Sequence, residues 1–220
     1  MLEATLDILE RELGKALWET LEMMIISVVI SSIVGVILGF TLFTCKSKYF
    51  TPRPVLYQVL GGFINIVRSI PFIILIVFTL PLTFFITGTK IGPIAAAVPL
   101  SICAIAFLAR LVESALLEVD EGVLEASIAQ GASTYLIVKD VLLIEAAPGL
   151  IRALTVTVIS LIGFSAMAGM VGGGGIGNLA IQYGYYRYES GVMLFTIILL
   201  VAIVQFSQWL GDFIAKRLSH

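Results

Sequence analysis

The chain has 220 residues, 59% hydrophobic and 13% charged, with a net charge of −2. Soluble domains carry about 25% charged residues, so most of this exterior must meet something other than water, and the clustered basic surface of a nucleic-acid binder is absent. Cys45 and Cys103 fall at or inside apolar runs and the one histidine is His220, so neither a disulfide framework nor a metal site is expected.

In chain order, residues 1–17 read as an amphipathic N-terminal segment ahead of a transmembrane domain over 18–220. Leu2, Leu6, Leu9, Leu13 and Leu17 recur at helical spacing, with Glu3, Asp7, Glu10 and Glu12 largely off that stripe. The segment is expected to lie on the membrane or pack against the bundle. Six acidic groups within the first 22 residues do not suit a secretory signal, which begins basic.

A helix crossing the hydrocarbon core needs about 20 consecutive apolar residues. Five uncharged stretches qualify: Met23–Cys45, Ser69–Thr89, Ile91–Ala109, one beginning at Ala153, and Ser190–Gly211. The second is expected to start earlier, near Leu56, with Arg68 inside it; Gly172–Gly175 should end the fourth near Val171. In the first, Ser27, Ser31, Gly35 and Gly39 form a small-residue stripe that admits a close helix neighbour, in this chain or in a second copy.

Basic residues in short loops set orientation. Lys46, Lys48, Arg53, Arg110, Lys139, Arg152, Lys216 and Arg217 fall on one side, against Arg11, Lys15, Lys90 and Arg187 on the other. The first set is expected in the cytoplasm, which places the N-terminus outside and the C-terminus inside.

No span holds the buried acid–base chain of a proton-coupled carrier. Arg68, about one helical turn before Pro71, either snorkels to the inner interface, pairs with a loop carboxylate, or meets substrate. Polar residues gather instead in a cytoplasmic loop of about 113–152. There Gly122 is expected to break the preceding helix, and Glu121 and Glu125 to open a short one, where carboxylates suit the dipole. Ala126 and Ala129 keep it slim, Gly131 stops it and Ser133 caps the next helix. Such a helix either docks into a partner's groove or packs on the protein's own inner surface.

Glu125-Ala126-Ser127, three residues, Gly131, then Val141 and Leu143 resemble the signature of ABC-importer permeases: E-A-A, three residues, G, nine residues, I-x-L-P. Ser127 replaces the third small residue, Val141 stands for Ile, and Ile144 occupies the usual Pro position, which questions the bend there. The runs Asn65–Ile74, Glu113–Glu118, Gly163–Gly169 and Gln182–Tyr185 are similar to methionine-importer permeases, and the likeness extends from Trp18 onward.

The resemblance implies an all-α integral membrane protein with the ABC type I importer permease fold, five transmembrane helices and a cytoplasmic coupling helix. It implies a multi-pass permease of the bacterial inner membrane, itself no enzyme and without a bound cofactor. The implied partners are a second copy, a cytoplasmic ABC ATPase dimer carrying ATP and Mg, and an extracytoplasmic methionine-binding protein. Glu125, Ala126, Ser127 and Gly131 would couple to the ATPase. Gly163, Ser165 and Gly169 make a narrow stretch of the fourth span, from which Met167 either forms an apolar gate with its copy or fills an ordinary interface. Gly172–Gly177 lacks the Lys-Ser/Thr of a phosphate loop and reads as a flexible external loop able to receive the binding protein. Tyr183, Tyr185 and Tyr186 suit the outer interface. The rival readings are a permease for another amino acid or small organic solute, an ATPase-independent channel or carrier, and a non-transporting scaffold.

Overall fold

The computed structural model describes residues 2–50 and 52–219, without the side chains of Leu2 and Ala4, and every regular element among the described residues is helical. His220 lies outside the described residues. The first helix, α1, runs from Leu2 to Lys46 without a break. At 1.5 Å per residue it is roughly 67 Å long, more than twice the hydrocarbon thickness of about 30 Å. The amphipathic stretch and the first span are therefore one rod, whose leading turns extend beyond the membrane. Leu9, Leu13 and Ala16 there pack with Ile176, Leu179 and Val192.

The small-residue stripe meets a helix of the same chain. Ser27 and Ser31 are fully buried, and side chains added at Gly35 and Gly39 would run into Leu108 and Val112 of α5 (Pro93–Leu117). Ser27 Oγ also donates across this seam to the Ala97 carbonyl, 3.4 Å away. Close backbone approach replaces the hydrophobic driving force that lipid does not supply.

The second expected span is not one straight helix. Helices α2 (Pro54–Ser69) and α3 (Phe72–Phe78) meet at 104°, and α4 (Leu80–Thr87) follows. Pro71 has no N–H and disfavours helical backbone at Ile70, which is extended (φ −81°, ψ 123°). Ser69–Thr89 thus divides between the bend and two short helices. Four helices are long and apolar enough to cross by themselves, and the bent pair of α2 and α3 brings the number to five when it is taken as one crossing.

Helix α5 also exceeds the expected Ile91–Ala109 stretch. Arg110 and Glu113 belong to its last turns instead of a loop, because Arg110 Nη1 donates to Glu113 Oε2 at 2.7 Å and Nη2 to the Gly61 carbonyl at 2.8 Å. Pairing removes the cost of burying either charge alone. The chain continues through α6 (Glu121–Ala129), α7 (Thr134–Leu136), a π-helical turn over 137–142, and α8 (Leu143–Ala168). The loop expected over 113–152 is accordingly helical at both ends, and the fourth crossing begins before Ala153. At Ile144 the backbone stays helical; the proline of this region, Pro148, lies inside α8. Helix α8 gives way to a second π-helical turn over 169–173, where Val171 (φ −110°, ψ 24°) and Gly172 (φ 89°, ψ 13°) leave helical geometry, as expected of that glycine run. Helix α9 (Gly175–Leu179), a third π-helical turn over 180–185, and α10 (Ser190–Leu218) complete the chain. On α10, Trp209 stacks on Phe213 at 5.8 Å and Arg217 lies over the Phe213 ring, an aromatic anchor suited to the membrane–water interface.

Contacts sort the loops into two ends. Lys48 reaches Glu121 at one, while at the other Gly92 N–H donates to the Gly172 carbonyl (2.8 Å) and Thr5 lies against Gly191.

Candidate coupling and translocation site

At the basic-loop end, Asp120 Oδ1 accepts from Gly122 N–H (2.6 Å) and caps α6. Gly122 therefore sits in the first turn of α6; the preceding helix has already ended at Leu117. The other end of α6 closes as a Schellman motif. Gly131 N–H donates to the Ile128 carbonyl (2.9 Å) and Ala132 N–H to the Ser127 carbonyl (3.1 Å), with Gly131 at φ +80°. No atom would obstruct a side chain at Gly131, so its backbone conformation is what calls for glycine there. Ser127 Oγ donates to the Val123 carbonyl (2.8 Å), so the residue that departs from E-A-A satisfies its hydroxyl within its own helix. Ser133 caps the next helix, as expected, accepting from Leu136 N–H.

Only Leu124 anchors α6 in the core; Ala126 and Ala129 are exposed. A polar cluster provides the other attachment. Lys48 Nζ lies 2.8 Å from Glu121 Oε2 and 3.7 Å from Glu125 Oε1. Tyr49 Oη lies 2.8 Å from the same oxygen of Glu121 and 2.8 Å from Glu125 Oε1. The hydrogen bonds from Lys48 and then Tyr49 hold the Glu121 carboxyl below the usual carboxylate range. The bond to Glu121 in turn raises Lys48. Partial loss of water pushes the Tyr49 phenol up, against the pull of Lys48 and with the help of both carboxylates. Sequence reading used Lys48 only as a loop charge and passed over Tyr49; the signal was a Lys-Tyr pair beside a short acidic helix.

The four fourth-span residues occupy two faces of α8 and its continuation. Gly163 and Met167 are exposed on one face, Met167 by 44%, with Met170 (57%) following on. Ser165 and Gly169 are buried on the other. Ser165 Oγ donates to the Ile162 carbonyl, and a side chain at Gly169 would collide with the backbone of Gly174 and of 177–178. The space beside Gly169 is already filled from within the chain, whereas Gly163 and Met167 face outward. Arg68 is exposed near the bend, its guanidinium 5.8 Å from the Phe107 ring centroid.

The glycine run is also more tightly held than a flexible loop. Gly173, Gly175 and Gly177 are buried, and a side chain at Gly177 would strike the Ala166 backbone. Glu19 Oε2 accepts from Gly175 N–H (2.7 Å) and Thr20 Oγ1 from Ile176 N–H (2.9 Å), so α1 caps α9. The partners lie 156 residues apart, beyond the reach of any local sequence pattern. Tyr185 and Tyr186 are exposed and meet edge to face at 5.4 Å. Among the described residues no cluster of His, Cys, Asp or Glu is arranged to hold a metal.

Residues 31–220 match the family described as binding-protein-dependent transport system inner membrane component. The chain is 44% identical over 205 residues to the probable D-methionine transport system permease protein MetI of Vibrio cholerae, covering 93% of this chain and 91% of that one. It is 46% identical over 208 residues to the protein of the same name from Pasteurella multocida, covering 94% and 95%. Among solved structures, a chain of the MetNI methionine ABC transporter in an inward-facing conformation superposes with a TM-score of 0.91 at 44% identity, covering 94% and 96%. These matches take in part of the segment before Trp18, so the likeness begins earlier than the sequence runs indicate.

Proposed function

The chain belongs to the binding-protein-dependent transport system inner membrane components, and on that premise we propose that it is the membrane-spanning permease subunit of an ATP-driven methionine importer. The observation that carries this reading is near-end-to-end similarity to methionine permeases at 44–46% identity. Two copies enclose the pathway, two cytoplasmic ATPase subunits bind and hydrolyse ATP with Mg, and an extracytoplasmic binding protein delivers methionine. This chain is not itself an enzyme. The positive-inside imbalance supports a cytoplasmic C-terminus and an external N-terminus. Residues 1–17 serve as an amphipathic extension of the permease domain over 18–220.

Coupling rests on α6. Its exposed Ala126 and Ala129 and its open Gly131 corner suit insertion into a groove of the ATPase, with Glu125 and Ser127 beside them. ATP binding draws the two coupling helices together and turns the pathway outward; hydrolysis resets it. The exposed face bearing Gly163 and Met167 suits the axis between copies, where paired Met167 thioethers, flexible and polarizable, close the pathway without a fixed geometry. Ser165 and Gly169 support that face from behind.

The test is ATP-dependent uptake of labelled methionine into proteoliposomes holding this chain with its co-purified ATPase, the binding protein supplied outside. Gly131→Arg should insert normally and abolish uptake, and Gly131→Asn should retain more of it, since Asn accepts positive φ. Normal uptake by Gly131→Arg removes α6 from coupling. An assembled ATPase complex that takes up no methionine removes the substrate assignment.

A further inference from the structure

Helix α6 has nine residues, too few to hold its shape alone in water, and Leu124 is its only buried side chain. Short tethers join it to α5 and α7. Besides the packing of Leu124 with Ile137 and Leu142, α6 is attached by the cluster of Lys48 and Tyr49 with Glu121 and Glu125, which stand one turn apart on the same face of α6. The single phenol proton of Tyr49 donates to one carboxylate at a time, while Lys48 supplies the compensating charge to both, at 2.8 and 3.7 Å.

The loop that carries Lys48 and Tyr49 is itself fixed to α1. Arg53 N–H donates to the Cys45 carbonyl (2.9 Å), and Tyr57 N–H to the Arg53 carbonyl (3.0 Å), tying the end of α1 to the start of α2. Phe50 meets Phe43 edge to face at 5.7 Å, and Tyr49 N–H donates to Ser47 Oγ. A displacement of α6 therefore reaches α1, and through the loop α2, the helix that bears Arg68 and ends at the 104° bend. Beside the cluster, a cleft of about 250 Å³ is lined by Lys48, Tyr49 and Glu121 together with Phe43, Leu116 and Leu124.

We propose that Lys48 and Tyr49 are positioning residues for coupling, a clasp through which movement of α6 is delivered to α1 and α2 as well as along the chain into α5 and α8. The inference rests on α6 being the ATPase-contacting helix of the proposed function. It gives the exposed Glu121 and Glu125 a second role, holding the coupling helix to its own subunit.

The test uses the full complex in proteoliposomes with Tyr49→Phe, Lys48→Met and Lys48→Arg. Two quantities are read: ATP hydrolysed per methionine imported, and hydrogen exchange across residues 121–129. Tyr49→Phe and Lys48→Met should assemble and hydrolyse ATP while spending more of it per methionine than the unmodified complex. Exchange across 121–129 should quicken in both variants by up to about fivefold, the reach of an exposed ion pair. Lys48→Arg, which keeps the charge, should restore both values. An unchanged ATP ratio with unchanged exchange overturns the clasp, and so does a loss of uptake that only tracks a loss of assembled complex. If the unmodified complex imports no methionine, the functional reading falls, and exchange across 121–129 still decides whether the clasp holds α6.

Discussion

Two short helices, one at each end of the bundle, are fastened to the same long rod in opposite ways. At one end, α9 is wedged among backbones: Gly175 and Gly177 are buried, and Glu19 and Thr20 of α1 cap its first amides. At the basic-loop end, α6 offers its own side chains to Lys48 and Tyr49 just beyond α1, in water, with a single residue in the core. The first arrangement resists any change of shape. The second leaves one flank open for a partner while staying attached along the other. Rigidity and availability are thus set by which groups make the attachment, since both helices are comparably short.

The largest effect should come from placing a branched side chain in each helix. Gly177→Val drives carbon into the Ala166 backbone, which has no flexible end to yield, and should destabilise the fold by at least about 3 kcal/mol. Ala126→Val on the exposed flank of α6 should shift stability by no more than about 0.5 kcal/mol while lowering uptake. Thermal midpoints of the purified proteins in detergent would report the first and proteoliposome transport the second. Equal midpoints for the two variants would erase the distinction between the helices.

A smaller effect should follow removal of the cap on α9. Glu19→Ala leaves the Gly175 N–H without its acceptor in a half-closed site, at a cost of about 2 kcal/mol. The midpoint should fall accordingly, with uptake reduced only in proportion to surviving protein. A variant that kept its midpoint would mean that glycine packing alone holds α9.

The smallest effect concerns solution conditions. Glu121 is depressed, so its contribution is present above the ordinary carboxylate pKa and lost as pH falls through the lowered value. Lys48 is raised, so its contribution is present below the ordinary lysine pKa and lost as pH rises through the raised value. Exchange protection of α6 should therefore be flat between about pH 5 and about pH 10 and decline outside that window. In about 1 M salt, where the screening length is about 3 Å, α6 should loosen and α9 should not. Matching salt responses in the two helices would show that the clasp is not electrostatic.

Features of short range were legible in the sequence. The stop at Gly131, the cap at Ser133 and the end of the fourth crossing near Val171 each depend on residues within one or two turns. What escaped depends on distance along the chain. The small-residue stripe announced a close neighbour but not that Leu108 and Val112 supply it. Arg110 read as a loop charge because its acceptor Gly61 becomes adjacent only after α2 packs on α5, although its partner Glu113 stands one turn away on the same helix. Hydropathy merged Ser69–Thr89 into one span because apolar side chains continue through the Pro71 corner, where the backbone turns. Met167 and Gly169 looked alike as pathway residues until α9 claimed one face of α8 and left the other open.

The uninterrupted course of α1 makes chain length between the two fastenings a matter of phase. Each residue advances a helix by about 100°, so the direction in which Glu19 points fixes the direction in which the loop after Lys46 departs. One residue inserted between them would turn one fastening about 100° away from its short helix, while about seven would bring it back into angular register, displaced by two turns. Angular register along α1 is thus shared by the two sides of the membrane, and a change of length that is harmless to hydropathy would put the two ends out of step.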